Sequence, residues 1–168
     1  MRSGYTCTIL VVLLSTINNV SSLAVGQADP TITISGKDNP SMIPDGTAYD
    51  ALFGVFRRTP SETDDLYKRR VATRIAAIGL TNEEGSLLLN AAENYAIEVK
   101  KHEARTKELR QKPHLSLQEV QQLRNERDAL AMMILADLRA KLSAEGRQKL
   151  ASYVEFHVKP HMVVRRIR

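Results

Sequence analysis

From Thr47 onward the apolar positions recur with the period of an α-helix rather than that of a strand. Tyr49, Leu52, Phe53 and Phe56 stand at i, i+3, i+4 and i+7, predicting a short first helix that Thr59-Pro60-Ser61 interrupts. Glu62, Asp64 and Asp65 suit the positive N-terminus of a second helix, whose apolar side runs Tyr67, Val71, Ile75 and Ile78 and whose stop is Gly79. Leu80-Thr81-Asn82-Glu83-Glu84 and Leu115-Ser116-Leu117-Gln118-Glu119 each place a hydroxyl three residues before a Glu, the spacing of a capping box that opens a helix. Leu142-Ser143-Ala144-Glu145-Gly146 has Gly where that Glu would stand, so it is expected to cap less completely.

The third helix, about 82–111, carries Leu88, Ala92, Tyr95, Val99, His102 and Leu109, and at about 1.5 Å per residue it extends about 45 Å. The fourth, about 116–140, buries Val120, Leu123, Leu130, Met133 or Ile134, and Leu138, while the fifth offers Leu150, Tyr153, Val154 and Val158. Lys112-Pro113-His114 reads as the hinge between the two long helices, because Pro cannot continue the third and restricts the residue before it. The expected fold is all-α: an antiparallel long-helix hairpin with shorter flanking helices over residues 47–158.

The chain before Thr47 has a different pattern. Arg2 precedes an apolar run peaking at Ile9-Leu10-Val11-Val12-Leu13-Leu14, and small residues follow to Ala24, the layout of a signal peptide over residues 1–24. The run is interrupted by Ser15, Thr16, Asn18 and Asn19, short of the about 20 apolar residues that span a bilayer. Residues 25–46 hold Gly26, Pro30, Gly36, Pro40, Pro44 and Gly46 and read as a flexible leader. Within it Thr31-Ile32-Thr33-Ile34 alternates like a strand, with no convincing partner elsewhere, so it is expected to be loosely packed or to add to a partner's sheet edge. Residues 159–168 read as an unstructured basic tail ending in Arg165, Arg166 and Arg168.

Composition narrows the chemistry. One Cys in 168 residues excludes a disulfide framework and any multi-cysteine metal site, and Cys7 lies inside the signal segment. The sole Asn-x-Ser/Thr sequon, Asn19-Val20-Ser21, lies there too, which fits a bacterial envelope better than a eukaryotic secretory route. No nucleophile elbow, phosphate loop, EF-hand or dinucleotide turn is present, and His102-Glu103 lacks the second His of a zincin because position 106 is Thr. No carboxylate pair stands on an apolar face where desolvation could tune it. The chain therefore reads as a non-enzyme without a cofactor. His157 and His161 are four apart, with Glu155 nearby, but Pro160 between them argues against a shared face; they are weak metal candidates only.

The net charge of +5 hides strong local fields. Residues 57–74 carry six bases against three acids, 100–112 six against two, and 159–168 four against none, while 25–56 and 75–99 are acidic. Lys100, Lys101, Arg105, Lys107 and Arg110 would form a basic partner-binding face on the third helix, and Tyr49, Phe53, Phe56, Met132 and Met133 the adaptable apolar contacts. Nucleic acid is a poor partner, since no basic stretch shows aromatic interleaving.

Leu80-Thr81-Asn82-Glu83-Glu84, the long helix after it and the later Leu-Ser repeats together resemble the LTxxQ-motif periplasmic helical proteins of the Spy/CpxP-like group, over about residues 60–158. Glu84, Glu119 and Gly146 replace the family's Gln. The resemblance implies an all-helical cradle, often dimeric, that shields unfolded or aggregating envelope proteins without ATP, or a stress-sensing relative. The expected protein is thus exported and protein-binding, chaperone-like in character, with unfolded or acidic envelope proteins, an anionic membrane surface and a second copy as its partners. A periplasmic metal-responsive sensor and a ligand-free structural envelope module are the alternatives.

Overall fold

The computed structural model describes residues 31–110 and 116–167. Its helices are α1 (Asp45–Val55), α2 (Asp64–Ile78), α3 (Asn82–Arg110), α4 (Leu117–Lys141) and α5 (Ala144–Tyr153), followed by a π-helical turn Val154–Val158. A strand at each end, β1 (Thr31–Ser35) and β2 (Val163–Ile167), completes the described chain. The all-α expectation holds, with this small sheet as an addition. Thr81, Ser116 and Ser143 start their helices as the sequence predicts, accepting from the backbone N–H groups of Glu84, Glu119 and Gly146, and Thr63, not singled out by its pattern, does the same for α2 through Leu66. Gly79 ends α2 in the left-handed conformation, φ 79°, that a side chain rarely adopts.

The α3–α4 pair is antiparallel. Glu126, early in α4, faces His102 and Arg105 late in α3, whereas Glu84, at the start of α3, meets Ser143 just past the end of α4. The start of α5 is capped better than its sequence suggests. Glu84 first closes the capping box of α3, accepting from the Thr81 N–H at 3.2 Å. It also accepts from the Ser143 hydroxyl at 2.6 Å and its N–H at 3.3 Å, supplying across the fold the carboxylate that Gly146 cannot. Gly146 makes room for this: a Cβ there would collide with the Glu84 carboxylate.

Helix α1 lies in the groove between α3 and α4. A Cβ at Gly46 would stand 2.7 Å from the Asp128 Cβ, so glycine permits this close approach, and Thr47 donates to the Asp128 carboxylate at 2.9 Å. Phe53, Tyr95, Leu88, Leu52 and Leu135 form the centre of the core. Arg70 of α2 holds the end of α1, donating to the carbonyls of Val55 and Arg57 while its guanidinium grips Glu62 at 2.8 Å through two nitrogens.

Two boundaries differ from expectation. The leader over 25–46 is packed structure from Thr31 onward, and the tail over 159–168 is not free through Ile167. β1 and β2 pair antiparallel, with Ile34 opposite Val164 and Ile34 buried. The β-branched run Val163-Val164 is the partner that a local reading of β1 overlooks, because it lies at the far end of the chain. Lys159 secures the return: its buried ammonium meets Asp45 at 2.8 Å and Glu155 at 2.7 Å. Burial would depress its pKa, but those hydrogen-bonded carboxylates outweigh burial and raise it. The signal segment, leader residues 25–30 and the Lys112-Pro113-His114 hinge lie outside the described residues.

Acid sensitivity follows from two carboxylates. Hydrogen bonds from Ser143, then Thr81, hold Glu84 below its ordinary pKa, and the Arg70 hydrogen bond does the same for Glu62. A depressed folded pKa gives stability that is present above the unfolded value of about 4.3 and lost as pH falls through the lower folded value. The double variant Glu62→Gln/Glu84→Gln is expected to lose less stability than the parent between pH about 5 and 3, measured by urea unfolding. Parallel losses in the two proteins would contradict this.

Candidate functional site

The apolar residues proposed from sequence separate into two classes. Tyr49, Phe53 and Phe56 are core, none more than 4% exposed, so they are not a contact surface. The stripe at helical spacing faces α3 and α4, where the Phe53 ring lies 5.2 Å from that of Tyr95 and 6.4 Å from that of Tyr49. Met132 and Met133, by contrast, are 38% and 55% exposed on α4.

The basic residues also differ among themselves. Lys101 is tied to Glu98 at 2.6 Å and Arg105 to Glu126 at 3.3 Å, so much of their charge is answered locally. Lys100 and Lys107 are exposed, two turns apart, with no ion pair to any described residue. The Arg110 side chain lies outside the described residues, as do those of Arg166 and Arg168. Arg165 belongs to β2, and its carbonyl accepts from Arg124 of α4 at 2.9 Å.

Ile97, not singled out from sequence, joins the exposed group at 54%. It stands two residues from both Tyr95 and Val99, about 200° round the helix from the side that meets α1. Met133 bears the same relation to buried Ala131 and Leu135 on α4. The antiparallel register sets Met133 level with the stretch around Ile97. The outer side of the hairpin, opposite α1, therefore carries exposed Ile97 and Met133, with Lys100 and Lys107 further along α3. Their sequence signal is position off the core stripe, which shows only once the stripe is known.

Beneath this surface sits a polar cluster that fixes the three helices. Asp50 of α1 accepts from the Tyr95 hydroxyl and, at 2.9 Å, from the Arg127 guanidinium. Burial, then the Asp50 charge, raises the Tyr95 pKa, so the phenol stays protonated. Burial works against the Arg127 cation, yet the Asp50 charge and the hydrogen bonds to Tyr95 and Asp50 together outweigh it and raise its pKa. A carboxylate, a guanidinium and a neutral phenol joined this way hold helices in register and offer no free base. His102 is similarly inward: its Nε2 is buried, 3.5 Å from Glu126 and without a hydrogen-bond partner among the described residues.

A second feature is an open cleft of about 400 Å³ between α2 and α5, lined by Ala77, Ile78, Lys149, Tyr153, Phe156 and His157. The π-helical turn presents Phe156 there at 70% exposure. The His157 ring lies 5.1 Å from that of Tyr153, and His161 sits in the separate turn Lys159–His161. Among the described residues no three His, Cys, Asp or Glu side chains converge as metal ligands, and no helix is long and apolar enough to cross a membrane. Comparison of the chain with protein-family models, with curated proteins and with solved structures yields no match.

Proposed function

We propose that this chain is an exported, non-enzymatic helical protein that binds unfolded or acidic polypeptides of the cell envelope without ATP. The observation that carries the reading is the outer side of the α3–α4 hairpin, where Ile97 and Met133 stay exposed, with exposed Met132 beside them, and where Lys100 and Lys107 have no ion pair to any described residue. Such ammonium groups raise the encounter rate with acidic chains. Flexible methionines hold varied apolar segments without a rigid fit. Arg57, Arg58, Arg70 and Lys101 contribute less, because each is bound to a carboxylate. The resemblance of Leu80-Thr81-Asn82-Glu83-Glu84 to the LTxxQ motif and the signal-like N-terminus point the same way.

The protein in stoichiometric excess is expected to slow aggregation of an unfolded client without nucleotide. The effect should weaken as salt shortens the Debye length from about 10 Å at 0.1 M to about 3 Å at 1 M. Ile97→Ser/Met133→Ser should weaken capture while changing stability by only about 0.5 kcal/mol, as exposed substitutions do. Lys100→Gln/Lys107→Gln should slow capture at low salt only. Aggregation that proceeds unchanged in excess protein would rule the reading out.

A further inference from the structure

The two-stranded sheet has two edges, and they are treated differently. Gly36 and Met162, the next opposed pair beyond Ser35 and Val163, are hydrogen-bonded through the Gly36 N–H at 2.8 Å. Alternation along an antiparallel ladder then makes Ile34–Val164 and Ile32–Arg166 the hydrogen-bonded pairs. The backbone groups of Thr33, Ser35 and Arg165 therefore point outward, away from the ladder. Two contacts agree with this phase. The Arg165 carbonyl accepts from Arg124, and the Ser35 carbonyl accepts from the N–H groups of Asp38 and Asn39. On the β2 edge the outward carbonyl of Arg165 is thus met by Arg124 of α4, which also brings a cation to that edge. On the β1 edge, no described residue pairs with the outward N–H and C=O of Thr33.

Exposed edges are usually protected by charge, proline or a covering side chain. β1 has none of these within its five residues, Thr31-Ile32-Thr33-Ile34-Ser35. The segment also reads nearly the same in both directions about Thr33, with isoleucines either side and a hydroxyl residue at each end. We propose that the β1 edge is a dimerisation surface for a second copy of this chain, the two β1 strands pairing antiparallel about a two-fold axis at Thr33.

In that pairing Thr33 of each copy exchanges both N–H···O bonds with the other, satisfying the groups that no described residue of its own chain pairs. Ile32 falls opposite Ile34 of the second copy on the core-facing side, which covers an isoleucine that is 39% exposed in one copy. The result is a four-stranded sheet in the order β2-β1-β1-β2. A foreign strand would match the free backbone, but only a second copy matches the symmetry of the side chains. The pairing uses none of Ile97, Met133, Lys100 and Lys107, so this inference does not rest on the proposed function.

Sedimentation equilibrium of the full chain decides it. The protein is expected to be dimeric at about 100 µM and to dissociate on dilution. Thr33→Pro removes only the outward donor, because the Thr33 N–H takes no part in the β1–β2 ladder; it should weaken the dimer about tenfold or more with unchanged circular dichroism. Thr33→Lys, which places like charges opposite each other at the axis, should do the same and covers the case in which proline disturbs folding. Thr59→Lys, on an exposed turn, should leave the dimer intact. A chain that stays monomeric at about 100 µM overturns the proposal, whatever else that edge takes up, and so does a dimer indifferent to both Thr33 substitutions.

Discussion

Phe53→Ala is expected to lower the unfolding free energy by about 3–5 kcal/mol, the cost of deleting a buried phenyl group and leaving its cavity. Phe53 is fully buried, with aromatic rings on two sides and α1, α3 and α4 closing round it, so collapse of the surroundings recovers little. In a marginally stable domain that is a large share of the total, and urea denaturation would show it as a lower midpoint. Phe53→Leu keeps most of the volume and should cost about 1 kcal/mol. Client capture per folded molecule should be unchanged in both. A variant that lost capture at an unchanged midpoint would return Phe53 to the contact surface and refute its place in the core.

The second large effect is expected at Asp50. Asp50→Ala should cost about 3 kcal/mol, because it leaves the Tyr95 hydroxyl without its acceptor and the Arg127 cation, 29% exposed, without its counter-charge. Tyr95→Phe removes one donor from a carboxylate that keeps its guanidinium, so about 1 kcal/mol is expected. Adding Arg127→Met to Asp50→Ala should recover part of the loss, since the unpaired cation then disappears together with its cause. Equilibrium unfolding of the single and double variants measures this directly. A loss below about 0.5 kcal/mol for Asp50→Ala would mean that water, not Asp50, satisfies Arg127.

Much of the helical framework was legible because local chemistry imposes it. Thr81 with Glu84 and Ser116 with Glu119 form their capping boxes within a few residues, so spacing alone locates the starts of α3 and α4. Gly79 ends α2 for an equally local reason. Periodicity likewise marked Tyr49, Phe53 and Phe56 as one face, but the same stripe suits a core or a contact surface. Only the packing of α1 into the α3–α4 groove assigns it to the core. Ile97 and Phe156 carry no sequence signal for the converse reason: an isolated apolar residue off the stripe has no local pattern to announce it.

What the sequence determined by itself is the set of helices, the starts of α3 and α4, the end of α2 and the antiparallel hairpin, each encoded within a few turns of chain. The tertiary structure alone decided three things. It closed the ends into a sheet, since β1 and β2 are strands only as partners. It joined Asp50, Tyr95 and Arg127 from three helices. And it completed the cap of α5 with Glu84, explaining a Gly that looked like a defect at position 146. All three depend on residues brought together from distant parts of the chain, and such proximity is a property of the packed fold that local periodicity and capping do not contain.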